Sequence, residues 1–257
     1  MKKLMYLFLS FFLNVNLLSV LLISIPKSGT HLLFKTVKNI TNKDVILERN
    51  TPSYLGDHGH NLYNITVKDL DFYLTLHQSS SLHSHLKYTK ESEDLLLNKE
   101  YKVLFNMRDP RDLAVARAYW IKALPEYFPG SIDQTLQEIL TNNIVNIANF
   151  YNTWLPWMDY PYVLTIRFED LVGSKGRGND SRQLATVKAI AKHLSVELSE
   201  ERAQEIATDL FGITKNTFRK GQIGAWKHEF TAEHKELFKQ YGGELLIKLG
   251  YEKDLNW

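Results

Sequence analysis

The chain has 257 residues, 44% of them hydrophobic and 23% charged, a globular balance rather than a disordered one. Thirty-one Lys and Arg against 29 Asp and Glu leave a formal net charge of +2. That is no electrostatic footprint for a nucleic-acid binder, so nucleic acid is not an expected partner and any anion site must come from local clustering. The absence of cysteine removes disulfides, thiolate zinc sites, iron–sulfur ligation and cysteine nucleophiles at once.

Met1–Lys3 is basic and Leu4–Leu13 is apolar apart from Ser10, the n-region and h-region of a secretory signal. The apolar run does not stop there. It continues through Leu17–Leu22 into Ile23, Ser24 and Ile25, which reads as a buried strand feeding a turn and a helix. If that strand takes residues 18–25, only about 14 apolar positions remain upstream, short of the roughly 20 that a spanning helix needs. Cleavage near Ser19 would remove part of the strand. The expectation is a hydrophobic extension over 1–17, associated with a membrane through residues 4–17, on a single cytoplasmic domain over 18–257. A secretory signal is the alternative.

Three runs rich in β-branched and aromatic residues, Val20–Ile25, Lys102–Met107 and Tyr162–Phe168, predict buried strands. A helical pattern follows each: Leu33, Val37 and Ile40; then 113–121; then Leu184, Val187, Ile190, Ala191 and Leu194. Further helices are expected at 132–150, 200–210 and 232–249, the last capped by Thr231. Residues 51–69 read as loop, within a long irregular insertion in the first half, and Gly173–Ser181 as a flexible surface loop. Strand–helix alternation gives the fold class: α/β, a three-layer sandwich around a central, mainly parallel sheet.

Chemistry gathers at three places. Pro26-Lys27-Ser28-Gly29-Thr30-His31 stands at a strand-to-helix turn. There Gly29 allows close backbone approach, Ser28 and Thr30 bring hydroxyls, Lys27 brings charge and the helix N-terminus offers N–H groups to an anion. The GxxxxGK[ST] spacing of a Walker loop is absent. Asn106-Met107-Arg108-Asp109-Pro110-Arg111-Asp112 ends the second strand, where arginine faces the crevice in which parallel sheets bind ligands; an Arg–Asp knot fixing a turn is the alternative. Phe218-Arg219-Lys220-Gly221-Gln222-Ile223-Gly224-Ala225-Trp226-Lys227 suits a loop closing over an anionic, aromatic ligand, or a solvated basic loop anchored by its tryptophan.

Together these segments resemble the sulfotransferase family that uses 3′-phosphoadenosine 5′-phosphosulfate (PAPS). PKSGT at 26–30 is similar to its 5′-phosphosulfate loop, RDPRDLAV at 108–115 to the start of its 3′-phosphate motif, and FRKGQIGAWKHEFT at 218–231 to its C-terminal signature. The resemblance implies a P-loop NTPase-like sulfotransferase fold and PAPS as co-substrate, with no metal required. It places Lys27 on the 5′-phosphate and the bridging oxygen, with Ser28, Gly29, Thr30 and His31 in the phosphate turn. Arg108 falls on the 3′-phosphate, Phe168 near the adenine, and Arg219, Lys220 and Gly221 in the loop that closes on that phosphate. The chain departs from the family at Ala116, where a 3′-phosphate serine is expected, a loss of about 1–2 kcal/mol for one hydrogen bond. It departs also at Leu32, for a stacking tryptophan, and at Ala225, for an aspartate.

Sulfuryl transfer needs a base for the acceptor proton, and neutral imidazole suits that task. The resemblance points to His85, in Ser81-Leu82-His83-Ser84-His85-Leu86; strand alternation puts His83 on the same face as the second choice. His58, His60 and His77 look superficially like metal ligands, but no carboxylate spacing supports a site. The rival readings are a nucleotide-dependent phosphotransferase, a non-catalytic nucleotide-binding or membrane-associated interaction protein, and, more weakly, a metal-dependent hydrolase. The acceptor is a small molecule, glycan or lipid met by 51–100 and 121–160, with Tyr127, Phe128, Trp154 and Trp157 as pocket walls. Residues 227–241 partly resemble a dimerisation element, which implies a homodimer.

Overall fold

A computed structural model describes residues 19–47, 66–77, 80–123, 130–142, 146–212 and 219–257; the N-terminal extension, His58, His60, Tyr127, Phe128 and Phe218 lie outside them. The chain runs β1 (Val20–Ser24), α1 (Thr30–Thr41), β2 (Val45–Leu47), α2 (Val67–Leu76), β3 (Ser81–Ser84), α3 (Lys90–Asn98), β4 (Lys102–Met107) and α4 (Pro110–Lys122). It continues through α5 (Ile132–Thr141), α6 (Ile147–Asn152), β5 (Val163–Arg167), α7 (Phe168–Leu171), α8 (Asp180–His193), α9 (Glu200–Asp209), α10 (Trp226–Glu229) and α11 (Ala232–Lys248). The five strands form one sheet in the order β2-β3-β1-β4-β5, every pairing parallel.

Alternation along the strands builds two cores. Leu21, Ile23, Val103, Phe105 and Met107 face a layer that includes Leu70, Leu96, Leu113, Leu136 and Phe238. Val20, Leu22 and Leu104 face Leu33, Val37, Val187, Ile190 and Ile206. The result is the expected three-layer α/β sandwich. β1 lies between β3 and β4, so the chain enters the sheet to one side of β1 and later crosses to the other. The crevice above its carboxyl end is the topological switch point where such sheets bind ligands.

Several expectations need correction. Within the first half, 66–98 is not irregular but holds α2, β3 and α3, while 48–65 lie outside the described residues. The helix over 132–150 is two, with α5 ending at Thr141 and α6 starting at Ile147 under an Asn146 cap. Trp154 and Trp157 do not wall a pocket: both are fully buried, and their indole N–H groups donate to the carbonyls of His85 (3.2 Å) and Leu86 (3.0 Å).

Gly173–Ser181 is mostly exposed but is anchored to its surroundings. Gly176 is buried in a short 3-10 turn, and its carbonyl accepts the Ile223 N–H at 2.9 Å. A Cβ at Gly176 would overlap Val172 and come within 2.7 Å of the Gly221 carbonyl oxygen. Gly176→Ala should therefore destabilise the fold by about 1–3 kcal/mol, as overpacking does; urea unfolding would show a lower midpoint at unchanged slope.

Candidate active site

The site grows from polar residues at the carboxyl ends of three adjacent strands. On the α1 face of the sheet, apolar alternation gives way to Ser24 on β1, Asn106 on β4 and His83 on β3. Ser24 is in register with Asn106, and His83 with Leu22. All three are buried.

Above them stands the 26–30 turn. Lys27 (φ 73°) and Gly29 (φ 98°) are both left-handed; for lysine that conformation is strained and has to be held by its surroundings. The hold comes from below. Ser28 is fully buried, its Oγ donates to the Asn106 carbonyl (3.1 Å), and Asn106 Nδ2 donates back to the Ser28 carbonyl and Oγ (3.1 Å each). The Ser28 hydroxyl is thus turned into the protein, leaving its backbone to the turn. Gly29 caps α1 without a side chain, so the first N–H groups of the helix are presented to an anion over the turn. A Cβ on Gly29 would sit 2.5 Å from Phe168 Cδ2, which requires glycine there. Burial, and then the charge of Arg108, lower the Lys27 pKa. Its Nζ lies 5.8 Å from the ring centroid of Trp120, a half-exposed side chain.

Ser24 joins the turn to the histidines. Its Oγ lies 2.8 Å from Thr30 Oγ1, 3.0 Å from His83 Nε2 and 3.2 Å from His85 Nδ1. His85 Nδ1 is 2.6 Å from the Ser24 carbonyl oxygen. A carbonyl only accepts, so Nδ1 carries the proton and Nε2 holds the basic lone pair. His31, the second residue of α1, packs edge-on against Phe34, which packs against His83.

Arg108 is almost fully buried. Its guanidinium lies 4.3 Å from the Phe168 ring centroid, donates to the Gln222 carbonyl (2.7 Å) and pairs with Asp112 at 3.6 Å. Its Nε is buried without a hydrogen-bond partner, an unmet donor in the crevice. Asp112 accepts the N–H groups of Gly224 (2.8 Å) and Trp226 (3.0 Å), so the carboxylate serving this loop comes from α4 rather than from position 225. The expected knot is Arg111 with Asp109 (2.8 Å) and Glu252 (2.6 Å), not with Asp112.

Arg219 and Lys220 are drawn to Glu229 (3.3 and 3.4 Å), whose other oxygen accepts from Tyr119 (2.9 Å). Burial works to raise the Glu229 pKa, but Tyr119, Arg219 and Lys220 outweigh it and hold the carboxyl below its usual range. The structure therefore brings Thr30, His83 and His85 around Ser24, sets Lys27 in the preceding turn, and packs both Gly29 and Arg108 against Phe168. Gly221 follows two cations held by Glu229. Among the departures, Ala116 is half-buried on α4, Leu32 packs against the α1 core, and Ala225 caps α10.

Sequence reasoning missed Ser24, Asn106 and Glu229. A polar residue interrupting an apolar strand run is the signal that could have found the first two. Among the described residues, no group of three or more His, Cys, Asp or Glu is placed to hold a metal ion. No helix among them is long and apolar enough to cross a membrane.

A parallel sheet with a glycine turn and a lysine at the switch point defines a P-loop-like α/β protein. Residues 18–250 match the sulfotransferase domain family, and the chain belongs to it. It is 29% identical to chimpanzee (Pan troglodytes) sulfotransferase 6B1 over 195 residues, covering 66% of this chain and 61% of that protein. It is 24% identical to rat (Rattus norvegicus) sulfotransferase 2A1 over 249 residues, covering 85% and 81%. The match thus spans about three fifths of the 6B1 relative's length. Among solved structures it resembles mouse sulfotransferase SULT7A1 complexed with PAP, with a TM-score of 0.66 at 20% identity, covering 91% of this chain and 89% of that one. A retinol dehydratase in complex with androsterone and inactive cofactor PAP gives a TM-score of 0.60 at 18% identity, covering 90% and 81%.

Beside Arg108, Glu169 accepts the Asp109 N–H (2.7 Å) and the Tyr251 hydroxyl (3.1 Å). Burial lifts its pKa from 4.5 to about 7, against the Asp109 N–H. With the folded pKa raised, its contribution is fully present below pH 4.5 and is lost as pH rises through about 7. In Glu169→Gln, which keeps an acceptor for Asp109, that loss disappears. Between pH 4.5 and 8 the variant should gain about 3 kcal/mol on wild type, read from urea unfolding across pH.

Proposed function

We propose that the protein is a PAPS-dependent sulfotransferase that moves the sulfuryl group to a hydroxyl or amine and releases adenosine 3′,5′-bisphosphate. The observation that carries this reading is the Ser24 junction, because it joins Thr30 of the turn to the imidazole of His85. Lys27 and the α1 N-terminus are the anion-binding half of the site, and His85 Nε2 is the basic half.

In this reading the acceptor oxygen or nitrogen attacks sulfur in line with the phosphate. A new bond to sulfur forms, the bond from sulfur to the bridging oxygen breaks, and that oxygen keeps the electron pair. Lys27 and the helix N–H groups stabilise the charge gathering there. The acceptor proton passes to His85 Nε2, and the Nδ1–H bond to the Ser24 carbonyl steadies the imidazolium. Arg108 offers its unmet Nε–H to the 3′-phosphate with Phe168 beneath it. Arg219 and Lys220 supply further positive charge, and binding this remote phosphate positions the reacting group. Trp120, exposed beside Lys27, supports an acceptor with an apolar or aromatic face. The reading also keeps one sulfotransferase domain over 18–257.

Thermal unfolding tests the donor. Adenosine 3′,5′-bisphosphate at a hundred times its dissociation constant should stabilise wild type by about 2.7 kcal/mol. ATP should not, and Lys27→Ala should lose the effect; equal stabilisation by ATP would favour a phosphotransferase. His85→Ala should lower turnover by about 100-fold or more while leaving bisphosphate affinity nearly intact. Unchanged turnover would reject His85 as the base.

A further inference from the structure

We propose that His83 is a positioning residue: through the Ser24 hydroxyl it sets the side of that oxygen that faces His85. The proposal rests on the reading of His85 as the base and adds a residue that acts on it through Ser24.

Ser24 Oγ has one proton and two lone pairs, and three groups converge on it: Thr30 Oγ1 at 2.8 Å, His83 Nε2 at 3.0 Å and His85 Nδ1 at 3.2 Å. Because Nδ1 of His85 is committed as a donor to the Ser24 carbonyl at 2.6 Å, the Ser24 proton cannot go there. When it goes to His83 Nε2, both lone pairs of Oγ turn to Thr30 and to the Nδ1–H of His85. The imidazole of His85 then has two oxygens of one residue on its N–H side. As Nε2 gains the acceptor's proton, the positive charge spreads toward those two oxygens, and the hydroxyl dipole already points the right way.

His83 is held to this task by packing. It is 5% exposed, its ring lies edge-on to Phe34 at 4.6 Å and to His85 at 4.7 Å between centroids, and its backbone is fixed in register opposite Leu22. A second cation 4.7 Å from His85 would oppose the charge that forms there, so the arrangement works with His83 neutral and accepting.

The test is His83→Phe, which keeps a ring for Phe34 but removes the nitrogen, beside His83→Gln, which restores an acceptor. Long-range proton–nitrogen NMR of His85 reads which ring nitrogen carries the proton and needs no turnover. All three proteins should keep the proton on Nδ1, with wild type and His83→Gln sharing one His85 Nδ1–H shift and His83→Phe showing a displaced one, because the Ser24 hydroxyl no longer turns a lone pair to it. In turnover, His83→Phe should lower kcat by about 10- to 100-fold, with KM for the sulfuryl donor unchanged and with His83→Gln recovering most of it. An unaltered His85 spectrum in a folded His83→Phe protein would overturn the proposal. If wild type turns over no acceptor while the spectra behave as expected, the assigned activity fails and the coupling stands. If His83→Phe does not fold, His83→Leu replaces it under the same criteria.

Discussion

A lysine in a left-handed conformation has to be held there, and the fastening beneath the 26–30 turn does this with two side chains. Ser28 and Asn106 exchange three hydrogen bonds in a place where neither meets water. Burying such polar groups costs several kcal/mol unless each finds a partner. Here the three bonds fix the height of the turn above β4, while Asn106 Oδ1 is left buried without a partner. The Lys27 charge, the approach of Gly29 to Phe168 and the reach from Thr30 to Ser24 all follow from that height. The anion-binding features are thus a product of the sheet's interior as much as of the turn.

The second organising element is the buried carboxylate of Asp112. Burial raises its pKa, against the pull of Arg108 and the two backbone N–H groups it accepts. It ties the first turn of α4 to residues 224–226, while Arg108 seizes the Gln222 carbonyl of the same loop. Glu229 completes the arrangement by holding Arg219 and Lys220. The loop is therefore clamped by opposite charges from both sides, and its basic residues stand over a surface already supplied with counter-charge.

How much of this the sequence carries depends on burial. β1 and β4 are legible because buried parallel strands read as largely apolar runs, and the edge strand β5 because it is rich in β-branched residues. α3 is not: Leu95, Leu96 and Leu97 are contiguous instead of spaced along one face, and of its nine residues only Ser92 and Leu96 are buried. α2 fails for the opposite reason, being apolar almost all round, with Phe72 and Leu76 left exposed. At the site, the turn and the two arginine segments are legible because glycine, proline and charge punctuate them. Ser24 and Asn106 are short polar residues within strands, and their importance comes from neighbours brought together by register. Trp154 and Trp157 look like ligand walls in sequence. What decides otherwise is that each indole N–H finds a backbone carbonyl beside His85.

The placement of Arg111 has a bearing on how such a domain is made. Its guanidinium lies 4.1 and 4.6 Å from the ring centroids of Trp226 and Trp257 and pairs with both Asp109 and Glu252. Three of these four partners are thus synthesised more than a hundred residues after it. While the chain emerges, the first turn of α4 carries a cation whose final surroundings do not yet exist, next to the arginine that faces the crevice. A sheet can assemble around β1 and β4 at that stage, but Arg111 reaches its final surroundings only when Trp226, Glu252 and Trp257 have docked. Contacts of such long sequence separation form slowly, because the loop between their ends has to close before they contribute.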